Sequence, residues 1–214
     1  MQPTIYLVAT GVANMASVAA AFGRLGCRVV PTQDPEVVRK AMAVVLPGVG
    51  AFGPAANQLR LTGLDAVLRE RVAQDRPLLG ICLGMQLLAS GSEESPDAAG
   101  LGVFGGRAQR YVATAGLRVP QFGWNRVEAA GCASPLDESG YAYFANSYRL
   151  LEAAAGWDVA WAEHGGRFVA AVARGAIVGC QFHPELSAGF GQRLLARWVD
   201  RAKARVGMSQ EVSP

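Results

Sequence analysis

The chain has 214 residues, of which 51% are hydrophobic and 17% charged. That composition excludes a disordered polymer, and a chain of this length buries about 70% of its unfolded surface, enough for a core without staples. Twenty basic against 17 acidic residues leave a net charge of +3, with no clustered patch of the kind that marks a nucleic-acid partner.

Residues 5–9, Ile-Tyr-Leu-Val-Ala, form an apolar run of strand length, and helical spacing follows from Asn14 to about residue 25. The stretch from Ile5 to Phe22 carries no charge and reaches the length of a membrane span. It contains Thr10, Gly11, Asn14 and Ser17, however, and no basic segment precedes it. The expectation is a strand, a turn and a buried helix, with neither signal nor membrane anchor. Gly26 closes that helix and residues 28–30 start a second strand. Residues 44–46 give a third, ended by the turn Pro47-Gly-Val-Gly50; helical sequence runs on to about Gln74, and residues 78–82 give a fourth. Continuous apolar runs separated by helices predict a mostly parallel central sheet with helices on both faces.

The second half reads as a strand-rich, mixed extension of the same α/β fold. Strand-like pieces occupy residues 107–111, 141–145, 158–161, 168–173 and 177–181, and a helix from about 188 to 206 carries Leu194, Leu195, Trp198 and Val199 as its apolar stripe. The one basic concentration, Arg193, Arg197, Arg201, Lys203 and Arg205, falls on this helix and reads as its solvated face. No repeat or low-complexity linker divides the chain, so residues 1–214 are expected to form a single domain. The four cysteines, Cys27, Cys82, Cys132 and Cys180, are widely separated and form no C-x-x-C pair. Neither a disulfide framework nor a metal or cofactor site is expected, and a reducing, cytoplasmic setting fits.

The sharpest chemical signal is Gly80-Ile-Cys82-Leu-Gly84, where a strand runs directly into a helix beginning near Met85. This is a nucleophile elbow with cysteine in place of serine. The flanking glycines let backbone pass close to the turn, and the helix N-terminus favours a thiolate on Cys82. Taken alone, the motif also fits a buried cysteine between structural glycines. A nucleophile needs a base, and the chain has only two histidines. His164 lies in Glu163-His-Gly-Gly166, the expected tip of a hairpin, and reads as a solvated turn histidine. His183 follows the apolar run 177–181 and opens His183-Pro-Glu185, at a strand end where the sites of parallel sheets gather. Glu185 is near enough in sequence to orient the imidazole. An acyl mechanism also requires oxyanion donors, for which the amides of Leu83 and of Val49, in the glycine turn, are the candidates.

The motifs Leu46-Pro-Gly-Val-Gly-Ala-Phe52, Gly80-Ile-Cys-Leu-Gly-Met-Gln-Leu-Leu88, Ser92-Glu-Glu94, Gly100-Leu-Gly102, Gly123-Trp-Asn125, Tyr143-Phe144 with Ser147-Tyr148, and Gln181-Phe-His-Pro-Glu185 resemble class I, triad-type glutamine amidotransferases. Within them the set is similar to the glutaminase subunits of imidazole glycerol phosphate synthases, over nearly the whole chain. The resemblance implies Cys82 as nucleophile, His183 as base and acid, and Glu185 as orienting carboxylate. It further implies that Gln86, Gly50, Asn146, Ser147 and Tyr148 hold glutamine. The implied partner is a (β/α)8-barrel cyclase forming a heterodimer with this chain and receiving its ammonia. A paralogous glutaminase serving another ammonia acceptor remains an alternative, and so does a non-catalytic binding protein on the same fold, although a scaffold has no need of a complete Cys, His and Glu set.

Four segments depart from the family pattern. Asn14-Met-Ala-Ser17 stands where Asn-Leu-Arg-Ser is usual, and Leu186 where the histidine motif usually continues with Lys. Gln121-Phe122 replaces the commoner His-Met or His-Ile, and Asn146 stands where a His is often found. In the family, the side bearing Ala16 and Leu186 faces the cyclase.

Overall fold

Apolar runs long enough for strands but not for helices alternate with amphipathic stretches through the first half, and the chain folds accordingly. The computed structural model describes residues 2–9, 14–113, 116–129, 131 and 136–211. Thr10, Gly11 and Cys132 lie outside the described residues. The first half runs β1 (Thr4–Val8), α1 (Met15–Arg24), β2 (Arg28–Thr32), α2 (Pro35–Lys40), β3 (Ala43–Gly48), α3 (Phe52–Leu61), α4 (Leu64–Ala73), β4 (Leu78–Cys82) and α5 (Leu83–Leu88). The second half adds β5 (Gly91–Ser92), β6 (Ser95–Ala99), β7 (Arg107–Arg110), β8 (Gln121–Val127), β9 (Gly140–Asn146), β10 (Tyr148–Arg149), β11 (Asp158–Glu163), β12 (Arg167–Arg174) and β13 (Ile177–Cys180). A 3-10 turn (Pro184–Leu186) and α6 (Ala188–Glu211) close the chain.

Seven strands form the main sheet in the order β11-β12-β13-β4-β3-β1-β2. The run from β13 to β2 is parallel, and β11 and β12 join it in antiparallel pairing. The mostly parallel sheet with a mixed, strand-rich second half is therefore as expected. Alternation along each strand splits the core in two. Ala43 and Val45 of β3 face one side with Ile5, Leu7, Leu79 and Ile81, under α1 and α6, where Phe22 meets Trp198 at 5.8 Å between ring centroids. Val44 and Leu46 face the other side with Leu78, under α3 and α4, whose Leu59, Val67 and Leu68 are buried there. Leu194, Leu195, Trp198 and Val199 form the buried stripe of α6. The charge-free stretch is β1 followed by α1, and among the described residues no helix is long and apolar enough to cross a membrane.

Three features add detail to the helices read from the sequence. The helical material after the glycine turn is two helices, broken where Gly63 takes a φ of +73°. The helix α2 is too short for apolar periodicity to reveal; its signals are the Asp34 side chain, which accepts from Glu36 N at 2.8 Å, and Pro35 in the first turn. The basic face of α6 is more than a solvated surface. Arg193 and Arg197 converge on Glu138, at 2.5 and 3.1 Å, Lys203 reaches Asp200 at 3.1 Å, and Arg205 pairs with Asp75.

Candidate active site

Because β4 lies between β3 and β13, its C-terminal end is flanked by the ends of two parallel neighbours, and those ends carry the other site segments. Cys82 sits at that end with φ +54° and ψ −111°, a conformation that L-residues avoid. Such geometry costs roughly 1–3 kcal/mol and persists only where the surroundings enforce it. The surroundings here are backbone. A Cβ on Gly84 would lie 1.8 Å from the Leu46 carbonyl oxygen, and one on Gly48 would lie 2.9 Å from the Gly84 amide nitrogen. Gly48 is the register partner of Cys82, so the turn carrying Val49 and Gly50 leaves β3 beside the sulfur.

His183 is placed by β13 and then held through its main chain. Its N–H donates to Tyr143 O at 2.9 Å, and its carbonyl accepts from Ser187 Oγ at 2.6 Å. Ser187 Oγ in turn accepts from Tyr143 N at 2.9 Å, which locks β9 to the 3-10 turn. That turn brings Glu185 Oε1 to 2.8 Å from His183 Nδ1, with the imidazole 8% and the carboxylate 1% exposed. Among the described residues Glu185 Oε2 is buried without a hydrogen-bond partner, so this carboxylate's directed interaction there is with the imidazole. Burial alone would lower the His183 pKa. Hydrogen bonds with Cys82 and then with Glu185 outweigh it and push the value up to about 10 from an ordinary 6.5.

Val49, Gly50, Cys82, Leu83, Gln86, Asn146, Ser147, Tyr148 and His183 line one cavity of about 310 Å³. Every residue given a catalytic, oxyanion or glutamine-binding role thus meets at one place, except that Glu185 stands behind the imidazole and does not line the cavity. Glu94 also lines it, and sequence reasoning gave it no role. Its carboxylate accepts from Phe52 N at 2.7 Å, at the start of α3, across 42 positions of chain. No local pattern announces such a contact, although Glu94 lies within one of the recognised motifs. A larger cavity, about 410 Å³ between α3, α4 and β6, is lined by neither histidine nor any cysteine.

His164 occupies the turn between β11 and β12 as expected, but its ring is half-buried. Nε2 lies 2.9 Å from Arg118 O, and the ring meets that of Tyr111 edge-on at 5.1 Å. It does not line the Cys82 cavity. Two of the departures from the family pattern, Gln121 and Asn146, are register partners across β8 and β9. Tyr111 joins them: its hydroxyl donates to Gln121 Oε1 at 2.7 Å and accepts from Asn146 Nδ2 at 3.2 Å. Cys27, Cys82 and Cys180 are free thiols, and among the described residues no group of three or more His, Cys, Asp and Glu is placed to hold a metal ion.

A strand-to-helix cysteine elbow beside a His–Glu pair, on a mostly parallel sheet, defines a class, and the sequence agrees: the family described as glutamine amidotransferase class-I matches residues 8–202, and the chain belongs to it. Within that family it is 40% identical over 192 residues to the imidazole glycerol phosphate synthase subunit HisH of Synechococcus sp. (strain JA-2-3B'a(2-13)), covering 87% of this chain and 88% of that one. It is 41% identical over 199 residues to the subunit of the same name in Bacillus subtilis (strain 168), covering 90% and 93%. It is also 37% identical to the chloroplastic imidazole glycerol phosphate synthase hisHF of Arabidopsis thaliana, over 91% of this chain and 34% of that longer one. Among solved structures, one described as a glutamine amidotransferase superposes with a TM-score of 0.74 at 23% identity, over 93% of this chain and 98% of the other.

Proposed function

We propose that this chain is the glutaminase subunit of an imidazole glycerol phosphate synthase, hydrolysing glutamine and passing the ammonia to a cyclase subunit in histidine biosynthesis. The observation that carries the reading is the strained Cys82 in one cavity with His183, whose Nδ1 lies 2.8 Å from Glu185. Cys82 Sγ, as thiolate, attacks the side-chain amide carbon of glutamine. The oxygen that becomes negative is received by the amides of Leu83 and Val49, each such donor being worth about 10²–10³ in rate. His183 protonates the departing nitrogen, ammonia leaves, and a thioester remains. Water activated by His183 then cleaves the thioester to glutamate, while Glu185 keeps the imidazole oriented and stabilises its charged form. Gln86, Gly50, Asn146, Ser147 and Tyr148 line the space for the rest of glutamine, and Glu94 gives the cavity a carboxylate able to face the α-ammonium.

The partner docks on the exposed face of the β8–β9 hairpin. Phe122, Trp124, Tyr141 and Leu186 are 73, 55, 62 and 40% exposed, apolar side chains suited to a protein contact. Phe122 is the register partner of Ala145, which lines the cavity, so a subunit seated there borders the cavity and shields ammonia from protonation. A (β/α)8-barrel cyclase is the partner this reading assigns, in the cytoplasm.

The test uses a diazoketone analogue of glutamine. It should label Cys82 and neither Cys27, Cys132 nor Cys180, and Cys82→Ala should lose both labelling and glutamine-dependent turnover with its fold intact. Labelling that survives in Cys82→Ala removes the assignment.

A further inference from the structure

The thiol of Cys82 has a polar neighbour besides the histidine. Gln181 is fully buried directly after β13, its main-chain N–H donating to Ala170 O at 2.8 Å, and its side-chain Nε2 lies 3.8 Å from Cys82 Sγ. A buried amide has two ends, and which one faces the sulfur decides its effect: N–H favours a thiolate, whereas C=O opposes it.

Neighbouring groups fix that choice. Gln86 Nε2 lies 3.1 Å from the carbonyl oxygen of Tyr148 and 2.9 Å from Gln181 Oε1. A main-chain carbonyl only accepts, so the Gln86 amide must turn its NH2 toward Tyr148. The same NH2 has a second hydrogen, and it meets Gln181, which must therefore present its oxygen to Gln86 and its N–H to the sulfur. Asn146 Nδ2 donates to the same Tyr148 carbonyl at 2.9 Å and holds it in place. The Tyr148 carbonyl, accepting from both Asn146 and Gln86, thus anchors a short directed series in which Gln86 donates to Gln181 and Gln181 donates to Cys82.

We propose that Gln181 is a further catalytic residue, which donates a hydrogen bond to the Cys82 thiolate, and that Gln86 positions it by fixing the orientation of its amide. The inference rests on the glutaminase reading of Cys82. In the reaction the Gln181 N–H stabilises the sulfur when it is anionic, before attack on the amide carbon and again when the thioester carbon–sulfur bond breaks. While sulfur is bound to the acyl carbon, the hydrogen bond weakens, so Gln181 acts on the free nucleophile at both ends of the cycle. The other titratable groups around the sulfur, among the described residues, are His183 and Glu185 at the 3-10 turn, Tyr111 after β7, and Glu94 and Tyr148 across the cavity.

The experiment compares wild type with Gln181→Met, which keeps length and volume but has no donor, and Gln181→Glu, which keeps shape and turns an acceptor toward the sulfur. Iodoacetamide alkylation of Cys82 is followed against pH in the isolated chain, with Cys82→Ala as blank. In Gln181→Met the alkylation midpoint should rise and the rate at pH 7 should fall about three- to tenfold, the scale of one hydrogen bond. Gln181→Glu should shift further in the same direction. The kcat for glutamine should fall in parallel while KM moves less, because Gln181 does not line the cavity. If Gln181→Met does not fold, Gln181→Glu decides alone. A midpoint unchanged in the folded variants overturns the role of Gln181, whereas persistent turnover by Cys82→Ala would instead overturn the glutaminase reading on which it rests.

Discussion

Around Cys82 backbone packs on backbone, and every residue from Leu78 to Ala89 is buried. On the neighbouring hairpin of β8 and β9, Phe122, Trp124 and Tyr141 stand largely in solvent, and the rings of Phe122 and Trp124 meet that of Tyr143 in T-shaped contacts, at 5.9 and 6.1 Å between centroids. Both regions border the same cavity. The first is complete within the chain and tolerates no added atom. The second has apolar area that the described residues leave exposed. A rigid nucleophile is thus separated from the surface through which a partner would act, and substitutions in the two regions should fail in different ways.

The largest effect belongs to the elbow. Gly84→Ala places a methyl group 1.8 Å from the Leu46 carbonyl oxygen, where only backbone movement can relieve it. Loss of more than about 4 kcal/mol of stability is expected, and denaturant titration should show a folded fraction near zero or a collapsed midpoint. A Gly84→Ala protein as stable as wild type would show that the close packing is not required.

Next is the carboxylate behind the imidazole. Glu185→Gln should reduce kcat by roughly 10- to 10³-fold with the fold retained, while His164→Ala should leave kcat within about threefold, since that ring is outside the cavity. The substitution should also alter the pH dependence of stability. His183 titrates in the folded state near 10 against an ordinary 6.5, so its contribution is full below about pH 6.5 and is lost as pH rises through about 10. Without the Glu185 charge the folded pKa falls, and the decline in urea midpoint across that window should become shallower.

The hairpin should behave in the opposite manner. Trp124→Ala is expected to leave thermal stability within about 2 °C of wild type, because the ring contributes little to the core. It should weaken binding to the cyclase about tenfold or more, as truncation of an interface aromatic does, measured by calorimetric titration. Unchanged affinity would move the docking face elsewhere. The smallest effect is expected at Leu186, on the rim of the same surface, where the family usually has lysine. Leu186→Lys should change affinity by less than about tenfold, since an exposed ion pair is worth about 1 kcal/mol at most. Tighter binding beyond that range would mean the partner presents a buried acid opposite this position.

Much of this site was legible in the chain because its geometry is dictated by short-range constraints. A strand that turns at once into a helix needs glycine where backbone will be crossed, and a histidine followed by proline and glutamate brackets its own carboxylate within three residues. The continuous apolar run of β3, buried on both faces, and the stripe on α6 likewise follow from side-chain period and burial, so the layered fold could be read from the sequence. What only the tertiary structure decided are the contacts between groups far apart in sequence: Glu94 capping α3 and entering the cavity, Tyr111 bridging Gln121 and Asn146, and Gln181 set toward sulfur by Gln86. Each depends on which strands become neighbours, and the direction of an amide depends on its partners' lone pairs and hydrogens, which no spacing along the chain encodes. Residues 121–127 mix apolar, glycine and polar positions without a strand signal, and it is pairing with β9 that makes them β8. That the face turned to solvent is the aromatic one follows only from how the hairpin lies on β11 and the 3-10 turn.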